Sequence, residues 1–385
     1  MDKSNTSDNP YIYFYGEHNV SPVRQDISDI TQHYMRREGL YRSLGIPPFV
    51  FNGKRMLEVG PGGGYNSLYF LKMGARLDLV EPNPKGQEEI MHLFHQRNIE
   101  KARWKLHNTV IEDYCPEQKY DIVIAEGFIS GLLHRNKVIE RLSDVVSNGG
   151  VLVVTCADEI SLFFEYLKRL VAWKLIKKVN EFEDKIRILS NAFLTHLSSL
   201  SYATRPIDDW VIDTLINPAI CFNSFSIADC INEFGDNFKF LGSSPDMFTN
   251  YSWYKDTDYN TNENVLKQFY SKRHLLFITG IKESERAKES NEKLLTMASD
   301  FRQIVLKIET EGCPKGHWDI AVQLLKHLQA ITGDIDIRIP QIIEEALLLL
   351  NDGELNSEKV SKSKKLVEAF GRGQQYVSMV KNVFS

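Results

Sequence analysis

The sequence predicts an α/β protein whose centre is a doubly wound parallel sheet. Three observations carry this. Short apolar runs alternate with helix-patterned segments of about ten to fifteen residues, the signature of βαβ units. The runs are almost continuously apolar, as strands are when helices cover both faces of their sheet. The first run ends abruptly in a cluster of glycines.

Residues 55–60 (RMLEVG) form the first strand, and residues 67–74 (SLYFLKMG) a helix closed by Gly74. Residues 76–82 (RLDLVEP) are the second strand and residues 85–99 the next helix. Further strands are expected at residues 102–111, 120–127 and 149–156, with a helix at 138–150 leading into the last. Beyond Cys156 the alternation breaks. Residues 161–200 read as two helices, and residues 201–218 as a loop with a short helix. Strand-like text returns at residues 237–242 and 273–281, separated by the aromatic-rich stretch 243–256. From residue 282 onward the pattern is nearly all helical, broken at Pro314 and Pro340. The first ten residues are polar and expected to fray, whereas residues 11–48 are aromatic-rich and then helically patterned.

Composition narrows the function. The chain has 385 residues, 43% hydrophobic, enough to bury a sizeable core and to exclude wholesale disorder. Lys and Arg number 46 against 51 Asp and Glu, a near balance that argues against a dedicated nucleic-acid binder. The five cysteines (115, 156, 221, 230 and 313) are scattered, without a CxxC pair. They read as reduced thiols of a cytoplasmic protein. Neither a signal-peptide pattern nor an apolar run of membrane-spanning length is present in the text. Spacings such as HExxH, GxSxG or a P-loop are missing, so nothing points to a metal site.

The strongest local motif is Glu58-Val59-Gly60-Pro61-Gly62-Gly63-Gly64, a strand running into glycines at i, i+2 and i+4. Glycine permits the tight turn and the close approach of backbone to a ligand. A dinucleotide fingerprint needs Gly or Ala at i+5, where this chain has Tyr65, so a nicotinamide oxidoreductase is disfavoured. Glu81 closes the second strand, 21 positions after Gly60. A carboxylate there is placed to accept hydrogen bonds from two ribose hydroxyls.

On these residues the chain resembles the class I S-adenosylmethionine-dependent methyltransferases. Their acidic glycine loop is similar to residues 58–64, their second-strand acid to Glu81, and their adenine-contacting segment to Val110-Ile111-Glu112-Asp113. Their fourth strand looks like residues 120–127 and their fifth like residues 147–154. The resemblance covers residues 50–156 well and 237–281 loosely. It implies a Rossmann-like sheet, mostly parallel with an antiparallel last strand. It also implies S-adenosyl-L-methionine as cofactor and S-adenosyl-L-homocysteine as product. Glu58, Gly60, Pro61, Gly62 and Gly64 would lie by the methionyl moiety, and Glu81 with Pro82 by the ribose. Ile111 and Glu112 would meet the adenine, with Glu126 and Gly127 beside the sulfonium.

The general base is less marked. His134 follows the fourth strand on the side where acceptors enter in this family, against the plain reading of a helix-surface histidine. Glu126 is a second choice. His18 and Asp26 lie in a segment expected to fold over the cofactor, with Tyr15 and Arg24 placed to bind an acceptor phosphate or carboxylate. Helix capping and loop chemistry are the plain alternative for these four. Asp209 and Trp210 are placed where specificity is built, although an Asp at that position also suits a helix cap. The lysines and arginine between residues 166 and 179 read best as the solvated face of a lid helix, with a membrane-surface or anionic-substrate role as the sharper alternative.

The expected organisation is a flanking N-terminal segment (residues 1–48), a cofactor-binding core (49–156 and 236–282), an inserted helical cap (157–235) and a helical C-terminal region (283–385). The expected reaction is methyl transfer to a small or medium acceptor, a sugar or glycan-precursor hydroxyl first. The alternatives are N-methylation, aminopropyl transfer, or a silent cofactor-binding module. The expected partner is a small-molecule acceptor, with no nucleic acid and no integral membrane segment. The C-terminal helices offer a surface for a homo-oligomer.

Overall fold

A computed structural model describes residues 9–21, 23–200, 203–253, 255 and 261–383. The fraying expected of residues 1–10 lies outside the described residues for 1–8 and is not seen at Asn9 and Pro10, which cap and open a helix; of the aromatic stretch, residues 254 and 256 also lie outside the described residues.

The chain divides into two compact units. The first contains residues 1–156, 225–269 and 374–385. It opens with helices α1 (Pro10–His18) and α2 (Ile30–Ser43), each N-capped by a side chain, Asn9 and Asp29. The strands β1 (Arg55–Val59), β2 (Arg76–Val80), β3 (Trp104–His107), β4 (Tyr120–Ala125) and β5 (Val146–Cys156) follow. Between them lie α3 (Ser67–Lys72), α4 (Pro84–Gln96) and α5 (Asn136–Val145). Asn83 caps α4 by accepting from Lys85 N (3.0 Å), with Pro84 at the first helical position. Two further strands, β6 (Phe238–Ser244) and β7 (Gln375–Lys381), complete a seven-stranded sheet in the order β3-β2-β1-β4-β5-β7-β6.

All pairings from β3 to β5 are parallel, and β7 is antiparallel to both β5 and β6. The antiparallel last strand is therefore present, but it is a different segment from the one expected. Residues 273–281 do not form a strand: Arg273–Leu276 is a 3₁₀ turn. The segment Gln375–Lys381, expected to be helical, fills the gap between β5 and β6. The reason is physical. Val377 and Met379 are fully buried, and Ser378 hides its hydroxyl by donating to Leu44 O (2.7 Å), so the strand suits an interior position.

The sheet is packed on both faces. Met56, Leu57, Leu79, Ile122, Ile124 and Val153 are all essentially inaccessible, in line with the continuous apolar reading. The strand order reverses between β2-β1 and β1-β4, which makes the carboxyl end of β1 the switch point where open α/β sheets bind ligands.

The second unit, residues 157–224 and 270–373, is helical. Residues 225–235 of the expected cap and 374–385 of the expected C-terminal region thus belong to the first unit, whereas 157–224 and 283–373 belong to one body, the second. Its axis is α6 (Phe163–Ile176), followed by α7 (Phe182–Ala192), a π-helical turn Val211–Ile216, and the helices Lys288–Glu311, His317–Ile331 and Arg338–Asn351. The solvated face expected for residues 166–179 is corrected here for its first half: Lys168 and Arg169 are 0% and 1% exposed. Lys168 is hydrogen-bonded to His196 Nδ1 (2.9 Å) and Ala369 O, and Arg169 is salt-bridged to Glu309 (2.6 Å). A charge inside a helical core persists only with such partners. Among the described residues no helix is long and apolar enough to cross a membrane. Likewise no group of three potential ligands there could hold a metal, and none of the five cysteines is in a disulfide.

Candidate functional site

At the carboxyl end of β1 the backbone turns on Gly60, Gly62 and Gly64, all at positive φ (67°, 56° and 77°). Gly64 N donates to Pro61 O (3.0 Å), which tightens the turn before α3. An added Cβ at Gly62 would stand 2.5 Å from Val23 Cγ2, so glycine is required there both by conformation and by space.

Glu58 is buried on β1. Burial pushes its carboxyl up to about 8, against the pull of the Ser67 hydroxyl, which donates to Glu58 Oε2 at 2.5 Å. Glu81, one strand away, is also buried, and burial raises it to about 7. Two backbone donors partly offset that rise: Asn83 N to Oε1 (2.8 Å) and Gly62 N to Oε2 (2.9 Å). The turn thus ties the strand-two acid to the glycine loop. Pro82 is half-buried beside Glu81, Ile111 is buried, and Glu112 is half-buried in the turn Ile111–Asp113.

The end of β4 carries a polar web that the motif reading missed. The Glu126 carboxylate accepts from both terminal nitrogens of Arg37 (Nη1 at 3.2 Å), from Tyr41 (3.1 Å), from Asn66 (3.1 Å) and from Tyr376 (3.3 Å). Burial works against the Arg37 charge, but Glu126 and the flanking phenols outweigh it and hold the guanidinium well above its ordinary range. Gly127, at φ 84°, donates its N–H to Thr155 Oγ1 (2.7 Å) on β5. His33, Arg37 and Tyr41 are the buried stripe of α2, spaced at four residues. That stripe was the available signal for Arg37; Tyr376 was hidden in text read as helical.

The N-terminal segment lies along this edge. Tyr11 donates to Ser130 O (2.8 Å), Asn83 donates to Val20 O (3.1 Å), Gln25 to Asn66 Oδ1 (3.3 Å), and Arg97 to Ile27 O (3.3 Å). His18 is half-buried with its ring 4.7 Å from that of Phe14, and Tyr15 packs on Tyr11 and Phe14. Arg24 is exposed. Asp26 is exposed and accepts from Ser28 N (2.9 Å), the bond that chiefly lowers its pKa. His134 is exposed in the segment between β4 and α5. Asp209 and Trp210 belong to the helical unit and face its interior, 1% and 7% exposed. Trp210 packs on Phe193 and His196, so burial there speaks for packing.

Residues 31–199 match the family model described as a methyltransferase domain. No curated protein sequence matches the chain. Among solved structures, it is similar to PKMT2 from Rickettsia typhi in complex with AdoHcy (17% identity, 58% of this chain and 46% of that one, TM-score 0.38). It is also similar to the N-methyltransferase NodS from Bradyrhizobium japonicum WM9 in complex with S-adenosyl-l-homocysteine (16% identity, 38% and 74%, TM-score 0.31). A third is the CcbJ methyltransferase from Streptomyces caelestis (18% identity, 28% and 45%, TM-score 0.26). The chain spans 44% to 57% of the lengths of the first three structures matched. The glycine turn, the strand-two acid and strands β1 to β5 all lie within residues 31–199, the part of the chain that matches a methyltransferase domain.

Proposed function

We propose that the protein moves a methyl group from S-adenosylmethionine to a hydroxyl of a small or medium acceptor, of the sugar or glycan-precursor class. The observation that carries the cofactor assignment is the bond between Gly62 N and the buried Glu81 carboxylate, which joins a glycine turn to a ribose-type acid at the switch point. Bound S-adenosylmethionine supplies an electrophilic methyl on a positively charged sulfur.

Within that reading, Glu81 holds the ribose hydroxyls, Ile111 and Glu112 flank the adenine, and Gly60 to Gly64 with Glu58 receive the methionyl end. Arg37, Tyr41, Asn66 and Tyr376 act through Glu126 and fix the end of β4, so that Gly127 keeps its backbone angle; these are positioning residues. Preorganised placement of this kind is what in-line transfer needs. A hydroxyl acceptor must also lose a proton. Of the four bases expected, Glu126 is already supplied with hydrogens by four side chains and Asp26 accepts from its own turn. His18 and His134 therefore stand first. The contact of Val23 with Gly62 supports a small acceptor, because the segment bearing His18, Tyr15 and Arg24 lies against the glycine turn.

The test is incubation of the full chain with methyl-labelled S-adenosylmethionine and a panel of sugars and amines, followed by mass spectrometry. Label on a hydroxyl supports the reading. Label on nitrogen, transfer of an aminopropyl group when decarboxylated S-adenosylmethionine is supplied instead (the methyl then leaving in methylthioadenosine), or binding without turnover would replace it with the corresponding alternative.

A further inference from the structure

The helical unit contains a cleft of about 980 Å³ walled by α6 and the residues just after it, the π-helical turn, and the helices Lys288–Glu311 and His317–Ile331. That volume is at the upper end of the range typical of small-molecule sites, about 300–1,000 Å³. Five basic side chains line it against one carboxylate, Glu309.

Two of the five cations belong to the wall. Arg169 gives Nε and Nη2 to the two oxygens of Glu309 (2.9 and 2.6 Å) and Nη1 to Thr214 O and Asn217 O (2.7 and 2.8 Å). Lys174 gives its ammonium to Leu349 O, Leu350 O and Asp352 O (3.2, 2.7 and 2.6 Å), closing the end of the helix Arg338–Asn351. The lone carboxylate is therefore neutralised. Lys177, Lys178 and Lys185 have no ion-pair partner among the described residues, and the neighbouring Asp184 is committed to Arg187 (2.7 Å). Uncompensated positive charge thus collects on a concave wall.

Two indoles stand in the same wall. The rings of Trp173 and Trp318 lie 5.9 Å apart at 39°, with the Lys177 ammonium 5.3 Å from the Trp173 ring centre. Half-buried tryptophans beside free ammonium groups combine a stacking surface for a ring with point charges for phosphate oxygens. A lipid surface is flat, whereas these charges and indoles converge in a hollow.

We propose that this cleft binds a phosphorylated ring compound, of the nucleotide or nucleotide-linked sugar class. The tryptophans take the ring, and Lys177, Lys178 and Lys185 take the phosphates. The assignment rests on the helical unit alone and does not depend on the methyl-transfer reading.

The experiment is calorimetric titration of the full chain with ADP, with inorganic phosphate, and with phosphatidylcholine vesicles containing anionic phosphatidylglycerol. It is repeated for Lys177→Glu/Lys178→Glu and for Trp318→Ala, with circular dichroism and thermal melting to show that both variants fold. The expected result is that ADP binds, inorganic phosphate binds at least about tenfold more weakly, and each folded variant loses at least about tenfold in ADP affinity, about 1.4 kcal/mol. The proposal is overturned if ADP does not bind, if phosphate binds as tightly as ADP, if vesicles bind and ADP does not, or if both folded variants keep wild-type affinity.

Discussion

At the residue scale, two buried carboxylates and one buried ion pair decide how the site behaves. Glu58 and Glu81 have folded-state pKa values of about 8 and about 7, raised by burial from an ordinary 4.5. A raised value means that the folded form prefers the proton. The associated stability is full below about pH 4.5 and is lost as pH rises through 7 and 8. Buried Lys168, His196 and His274, whose pKa values burial lowers, push the other way. They titrate alike in wild type and in a Glu58→Gln/Glu81→Gln variant, so the urea midpoint of ligand-free wild type should fall relative to that variant between pH 5 and pH 8.5. A difference that rises over that interval would contradict the burial assigned to these two groups. Arg37 presents a different case, because its loss leaves Glu126 with a buried charge and weaker partners. Arg37→Ala should cost about 3 kcal/mol, the lower end for breaking a buried pair since Glu126 keeps some exposure, read as a lowered melting temperature. Tyr376→Phe removes one neutral donor and should cost only about 1 kcal/mol.

At the element scale, the glycine turn is the least tolerant segment. Gly62→Ala would place a methyl group against Val23 and force a positive φ on alanine, costing about 1–3 kcal/mol. The expected readout is a lowered melting temperature together with weaker cofactor binding; a variant matching wild type in both would show that the turn relaxes freely. This turn was fully legible in the sequence, because glycine spacing reports backbone requirements that few other residues can meet. The strand-two acid was legible for a related reason: its distance from the turn is set by one βα unit. Arg37 and Tyr376 were not. Their role depends on where α2 and β7 dock beside β4, a tertiary fact with no local motif. The four-residue spacing of His33, Arg37 and Tyr41 was visible only as helical periodicity.

At the scale of the whole molecule, the sheet depends on a strand from the far end of the chain. β7 is inserted between β5 and β6, and it supplies buried Val377 and Met379 as well as Tyr376 to the Glu126 web. Deleting residues 374–385 should yield insoluble or unfolded protein, checked by solubility and circular dichroism, whereas trimming an exposed tail would leave a stable fold. Sequence reading erred here because QYVSMVK is short, follows a long helical region and lacks a nearby partner strand. The apolar text of residues 273–281 imitated a strand, yet its buried side chains serve a helical body: Leu276, Phe277 and Ile278 are nearly inaccessible there. Long-range pairing, not local propensity, chose between the two segments.

The central claim is that Glu81 and the glycine turn form one cofactor cradle. Calorimetric titration with S-adenosylhomocysteine tests it most directly, comparing wild type with a folded Glu81→Ala variant. The account predicts measurable binding by wild type and a loss of about 1–3 kcal/mol in the variant, the scale of leaving buried hydroxyl partners unpaired. Equal affinity in the two proteins, or no binding by either, would contradict it.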